Sequence, residues 1–250
     1  MIDTHCHLLY KGLKERNEEV IQEAKKLMKA IINCGYPGDA TESLELLKKH
    51  PKFIYLSLGL HPIDIVKMSD EDIENYIKFV RDKRKEIVAI GEIGLDRHWY
   101  PEESQQPRLR DVFERMLDLS KEMKLPAILH TRKAEEECFK IVVEKGLKDV
   151  VFHCYAGSLT LAKEIIDQGF YISIGTNLLG SKNTKKIAKF YPLEQLLTET
   201  DSPFLSPYPG QINVPQNVKF VLEEMSKLRG QPVEEIDRVI EENCKKLFRI

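Results

Sequence analysis

The sequence predicts an α/β fold: a single-domain (β/α)8 TIM-type barrel with an extra C-terminal helix, spanning residues 1–250. Three observations predict it. Apolar runs of strand length alternate with amphipathic stretches of helix length through eight successive units. The chain length suits one such barrel. Metal-ligand side chains recur just after the apolar runs, where a parallel barrel gathers residues at its C-terminal face. A doubly wound open sheet is the alternative, because alternation alone does not establish closure.

The elements follow in order. Met1–His7 opens as a strand. Glu18–Leu27 reads as a helix, with Val20, Ile21, Ala24 and Leu27 on one face. Lys29–Cys34 is the second strand, broken by Gly35-Tyr36-Pro37-Gly38. Ala40–His50 is a helix, and Phe53–Leu60 is the third strand. Ser69, with Asp72 three residues on, marks the start of a helix running to about Arg84. Glu86–Leu95 is the fourth strand, followed by a helix over Arg108–Met123. Pro126–Thr131 is the fifth strand, then helix Ala134–Lys145. Val150–Tyr155 is the sixth, then helix Leu159–Gln168, ended by Gly169. Tyr171–Gly175 is the seventh, with a short helix over Thr184–Phe190. Leu196–Thr200 is the eighth. Pro215 starts a helix that Gly230 ends, and Val233–Leu247 is the last helix.

Composition narrows the function classes. At 42% apolar and 31% charged residues, the chain has an ordinary soluble globular composition. Its 38 basic and 40 acidic residues nearly cancel. No global basic face is expected, so any nucleic-acid contact must be local. The five cysteines form no C-x-x-C pair, which suits reduced thiols in a cytosol. No signal-peptide pattern and no apolar run near the ~20 residues of a membrane span are read. A cytoplasmic location is expected, with no membrane and no obligate protein partner.

The residues with chemistry sit at the strand ends. His5 and His7 are two apart on a strand and share a face, while Cys6 points the other way. Glu92 lies inside an apolar strand, where a carboxylate is costly unless paired or bound to metal. Its two oxygens can bridge two cations; a structural salt bridge is the plainer alternative. His130 and His153 stand at equivalent positions of successive units. Asp201 is placed to bind metal and to orient or deprotonate a water, with a turn cap as the bland alternative. Glu199, two residues earlier, is a candidate to hold a ligand histidine. His61, Arg132, Arg97 and Trp99 are candidate substrate contacts. His50 and the Lys182, Lys185, Lys186 and Lys189 group read as ordinary helix-end and solvated-face residues. Together, four histidines, one glutamate and one aspartate predict a binuclear hydrolytic centre with Asp201 and Glu92 as its catalytic carboxylates.

The fragments resemble the TatD family of metal-dependent deoxyribonucleases, within the amidohydrolase-like barrels. The resemblance rests on Asp3-Thr4-His5-Cys6-His7-Leu8, Gly59-Leu60-His61-Pro62, Gly91-Glu92-Ile93-Gly94-Leu95-Asp96, His153-Cys154-Tyr155-Ala156-Gly157 and Glu199-Thr200-Asp201-Ser202-Pro203, in that order. It covers nearly the whole chain. It implies one metal site held by His5, His7, Glu92 and Asp201, and another by Glu92, His130 and His153. It implies a glutamate bridge where many relatives in the wider superfamily use a modified lysine, against a dihydroorotase-like or phosphotriesterase-like assignment. Two departures stand near the substrate mouth. Ile212-Asn213-Val214-Pro215 lacks the arginine that the family often carries before the asparagine. Arg97-His98 intervene before Trp99-Tyr100, where aromatic residues often follow the fourth-strand motif directly.

The expected activity is cleavage of DNA phosphodiester bonds, from a 3′ end as the family suggests, with single-stranded or frayed DNA as substrate. Two divalent ions are expected as cofactors, with Zn, Mn, Mg, Co and Ni all open. A hydrolase of a small amide, lactone or phosphate ester is the second reading. A non-catalytic nucleic-acid-binding protein with a structural metal is the third.

Overall fold

A computed structural model describes all 250 residues. Eight parallel strands form one sheet in the order of the chain, each beside its sequence neighbour. They are β1 (Ile2–Cys6), β2 (Ala30–Gly35), β3 (Ile54–Leu58), β4 (Ala89–Gly94), β5 (Ala127–His130), β6 (Val150–Phe152), β7 (Tyr171–Ile174) and β8 (Leu196–Thr198). The coat is α1 (Asn17–Lys25), α2 (Ala40–Lys49), α3 (Pro62–Ile65), α4 (Asp70–Asp82), α5 (Gln106–Met123), α6 (Glu135–Glu144), α7 (Leu159–Asp167), α8 (Lys182–Phe190), α9 (Val218–Arg229) and α10 (Val233–Phe248). This is the predicted TIM-type barrel, with α10 as the extra helix.

Local chemistry explains most boundaries. Ser69 Oγ accepts from the Asp72 backbone N–H at 3.1 Å, and Asp72 Oδ2 accepts from the Ser69 N–H at 3.3 Å. That reciprocal pair satisfies the first orphan donors of α4, as the sequence predicts. Gly230 ends α9 in the left-handed region at φ 66°. Other boundaries differ from expectation for local reasons. The sixth strand stops at Phe152, because Cys154 turns to φ 45°. The fourth strand starts at Ala89, because Glu86 and Ile87 still bond back to the Lys83 carbonyl. The one-turn helix α3 was not expected. Pro62 presets its first position, and His61 Nδ1 accepts from the Ile63 N–H at 3.1 Å.

Closure between β8 and β1 uses side chains where regular strand pairing is missing. Thr4 Oγ1 donates to Thr198 O at 3.0 Å, and Thr198 Oγ1 donates to Ile2 O at 3.3 Å. Asp3 accepts from the Thr200 N–H at 3.0 Å and from its hydroxyl at 2.6 Å. Toward the C-terminal face, main-chain bonds take over. Asp201 N–H donates to His5 O at 3.0 Å, and His7 N–H donates to Ser202 O at 2.7 Å. Asp3, Thr4, Thr198 and Thr200 are all buried, so each unpaired polar group here would be costly. The seam therefore sets His5, His7 and Asp201 side by side.

A large continuous apolar core runs through the barrel and the layer between its strands and helices, and includes Ile32, Leu56, Ile90, Ile128, Ile172 and Leu197. A smaller core lies under α1, where Val20, Ile21 and Ala24 meet Cys6, Ile31 and Ile54. Cys6 thus faces away from His5 and His7, as the strand period requires. The strand-end histidines and carboxylates occupy the C-terminal end of the lumen, above this packing.

Candidate metal centre

Glu92 stands at the middle of the site. It is buried on β4, and its two oxygens face different partners. Oε1 lies 2.7 Å from His130 Nδ1, 3.3 Å from His153 Nε2 and 3.9 Å from His61 Nε2. Oε2 lies 3.6 Å from His5 Nε2 and 4.0 Å from His7 Nε2. Tyr36 donates its hydroxyl to Oε2 at 3.1 Å. Burial works against this carboxylate, but His153, His61 and the hydrogen bond to His130 outweigh it and hold it well below the usual carboxylate range.

Two glycines let the backbone come this close. A side chain at Gly59 would strike the Gly91–Glu92 peptide, so only glycine lets the end of β3 lie against β4 here. Gly94, at φ 149°, lies against the His130 backbone, where a side chain would overlap the carbonyl. These approaches set Glu92, His61 and His130 around one point.

His5 and His7 are buried and turn their Nε2 atoms toward each other at 3.1 Å. Asp201 Oδ1 lies 3.3 Å from His7 Nε2 and 3.8 Å from His5 Nε2. Asp201 holds φ 55°, a strained backbone for a non-glycine residue, fixed by the seam bond to His5 O. Burial opposes its charge, but the hydrogen bond to His7 and the nearby His153 lower its pKa. His153 Nδ1 is held by Glu199 Oε1 at 2.9 Å, as expected of Glu199. His130 Nε2 is held by Asp96 Oδ2 at 2.9 Å. Burial disfavours a charged His130, but Asp96 and Glu92 raise its pKa to about 9. Burial pushes His61 down to about 3.

The donor set suits divalent cations. Four imidazoles and two carboxylates converge at hydrogen-bond to ion-pair distances, and no lysine or arginine is within salt-bridge range of Glu92 or Asp201. The Nδ1 atoms of His5 and His7 are buried and without hydrogen-bond partners. Three ligand-spaced groups stand out: His5, Glu92 and His153; His61, Glu92 and His130; and His5, His7 and Cys34, each with ligand atoms within 4.8 Å of one another. Borderline nitrogen and oxygen donors of this kind bind zinc-like cations.

All six predicted ligands thus meet in one place. His61, expected as a substrate contact, sits inside the histidine group around Glu92. Three neighbours carry no role in the sequence reading. Tyr36, read as a strand breaker, stacks on the His7 ring with centroids 5.1 Å apart. Cys34 precedes it at the end of β2. Asp96, within a quoted motif, holds His130 and also accepts from the His98 and Trp99 backbone N–H groups at 2.8 and 2.7 Å. The strand-end rule that found the histidines applies equally to Cys34 and Tyr36.

The expected substrate contacts divide. Arg132 stacks over Trp99, with Cζ 5.2 Å from the ring centroid, and Trp99 is 63% exposed. Arg97 is tied instead to Glu137 at 2.8 Å and Glu103 at 3.2 Å. Its guanidinium therefore braces the loop that carries Trp99. Lys185 pairs with Glu224 at 3.1 Å, in keeping with a helix-face residue.

Comparison with known proteins adds identity to this geometry. The family model described as TatD related DNase matches residues 2–249. An uncharacterized metal-dependent hydrolase of Methanocaldococcus jannaschii, MJ1582, is 41% identical over 249 residues, covering 99% of this chain and 96% of that protein. The human deoxyribonuclease TATDN3 is 28% identical over 258 residues, covering 99% and 94%. The crystal structure of YJJV, a TatD homolog from Escherichia coli, superposes with a TM-score of 0.91 at 29% identity, covering 100% of this chain and 98% of that one.

Proposed function

This chain belongs to the TatD family of metal-dependent hydrolases, and from that premise we propose that it is a deoxyribonuclease acting on unpaired DNA ends. The observation that carries the reading is the two-sided environment of Glu92. One oxygen faces His130 and His153, and the other faces His5 and His7, the arrangement that a carboxylate shared by two cations requires. The human relative's name supports DNA as the substrate. A cytoplasmic setting fits the five free thiols.

In this reading His5, His7, Glu92 and Asp201 hold one divalent cation, and Glu92, His130 and His153 hold the other. Bound cations of this kind make water more acidic and neutralise charge on a phosphodiester. Glu199 and Asp96 fix the tautomers and ring orientations of His153 and His130. Asp201, kept ionised by its histidine neighbours, accepts the proton of the attacking water through Oδ1 or Oδ2. His61 and Arg132 hold phosphate oxygens, and Trp99 lies beside Arg132 as a ring for a flanking base. Arg97 contributes through the loop that it braces.

The test is metal-reconstituted turnover on single-stranded DNA, RNA and a small dialkyl phosphate, run side by side. DNA cleavage with a marked preference over the small diester is expected. The Michaelis constant for the oligonucleotide should rise with salt, and each phosphate contact to a single strand should contribute about −0.7 to the slope of log affinity against log salt. Arg132→Ala should flatten that slope and weaken oligonucleotide binding more than binding of the small dialkyl phosphate. Equal losses on both substrates, or no oligonucleotide turnover with any divalent metal, would replace this reading with a small-molecule hydrolase.

A further inference from the structure

On the β1–β8 side of the mouth the surface turns aromatic. The Tyr10 and Phe204 rings meet edge to face with centroids 4.9 Å apart, and Phe204 lies 5.9 Å from the His7 ring. Both are exposed, at 45% and 41%, and Ile212, at 50%, covers Gly12 on the loop that carries Tyr10.

This shelf is held rigidly against the metal centre. Phe204 N–H donates to Asp201 O at 2.9 Å, which ties the Phe204 backbone to that of the candidate metal-binding carboxylate. Asn213, fully buried, anchors the far end of the loop. Its N–H donates to Pro203 O at 3.0 Å and its Nδ2 donates to Thr200 O at 2.9 Å. Thr176 Oγ1 donates to Leu205 O at 2.6 Å. A buried polar network therefore presents rings to water that could otherwise have folded onto the barrel.

We propose that Phe204 and Tyr10 form a stacking site for one unpaired nucleobase, on the nucleotide next to the scissile phosphate. The proposal rests on the nuclease reading above. Three features select this occupant. The shelf touches the His7 ring, so a group stacked there is directly joined to one held at the metals. The opposite wall, four strands away around the barrel, carries the Arg132–Trp99 pair, which places the Arg132 cation across the mouth from this shelf. Two rings and an isoleucine suit a single base, whereas a stable protein partner needs roughly 800 Å² on each side. Every base offers a π-face, so the site selects an unpaired nucleotide and tolerates its sequence.

The experiment uses metal-loaded full-length protein and a set of single-stranded oligonucleotides. One set carries an abasic residue walked through each position near the cleaved end. A second carries 2-aminopurine at the same positions. At one position, loss of the base should raise the Michaelis constant of the wild type by roughly five- to a hundredfold. Phe204→Ala should show that loss on the intact oligonucleotide and no further loss on the abasic one. Phe204→Trp should restore the base dependence, with metal content measured in each variant. 2-Aminopurine emission should be quenched on binding to the wild type and unquenched with Phe204→Ala. Equal weakening of intact and abasic substrates by Phe204→Ala, or no quenching at any position, would overturn the stacking site. Quenching without any cleavage would leave it standing and remove the nuclease reading instead; cleavage without base dependence would do the reverse.

Discussion

Glu199 Oε1 lies 2.9 Å from His153 Nδ1, and both side chains are buried. The contact commits one ring nitrogen of His153 and leaves Nε2 directed at Glu92. Glu199→Gln keeps the shape and removes the charge that makes the imidazole a better donor. Metal affinity should fall about ten- to a hundredfold, read by metal titration, with the fold unchanged by circular dichroism. Undiminished affinity would make Glu199 a structural partner only.

Glu92→Gln should lower occupancy of both metal positions, because the lost charge belongs to the carboxylate between the two histidine groups. His5→Ala should reduce chiefly one position and His153→Ala chiefly the other. Elemental analysis of the three purified variants checks this. Full occupancy in Glu92→Gln would end its role as a bridge.

Asp201→Asn keeps an oxygen donor and loses the basic carboxylate. Turnover should drop about a hundredfold to ten-thousandfold while part of the metal stays bound. Single-turnover kinetics at matched metal content are the measurement. Near-normal rates would remove Asp201 from the chemistry.

His130 titrates at about 9 in the folded, metal-free protein, against an ordinary value of 6.5. A raised folded value stabilises fully below about pH 6.5, and that contribution is lost as pH rises through about 9. Chemical denaturation of the metal-free protein should show that decline. Metal needs the neutral ring, so binding displaces this proton. Affinity should therefore weaken by about one decade per pH unit for that proton as pH falls below 9. A flat affinity across the neutral range would show that His130 does not bind metal.

Asn213→Ala should cost about 1–3 kcal/mol, because it leaves the buried Thr200 carbonyl with only the long 3.4 Å bond from Thr176 Oγ1 and removes the Asn213 acceptor from the Asn217 amide. The loop bearing Phe204 should loosen with it. Denaturant unfolding and hydrogen exchange at residues 203–213 report the two effects separately.

The strands were legible because each is buried on both faces, by the lumen and by the helical coat, and so reads as a short apolar run. The six candidate ligands were legible because a parallel barrel converts strand-end position into proximity. Tyr36 and Cys34 obey the same rule but look like a turn residue and a core thiol in one dimension. Asp96 was visible in its motif, but its target, His130, lies 34 residues away and is reached only once β4 and β5 pair. Arg97 shows the opposite failure. A basic residue beside aromatics reads as a substrate contact until Glu137 and Glu103 are brought against it by α6 and the loop before α5.

The seam between β1 and β8 sets a schedule for biosynthesis. The ribosome releases His5 and His7 among the first residues of the chain and Asp201 after four-fifths of it. The bonds that turn Asp201 toward those histidines exist only when β8 has arrived beside β1. A nascent chain or a C-terminally truncated fragment therefore carries histidines without the carboxylate that completes their group. With Asp201 in its proposed role, hydrolytic competence is withheld until the last strand is home.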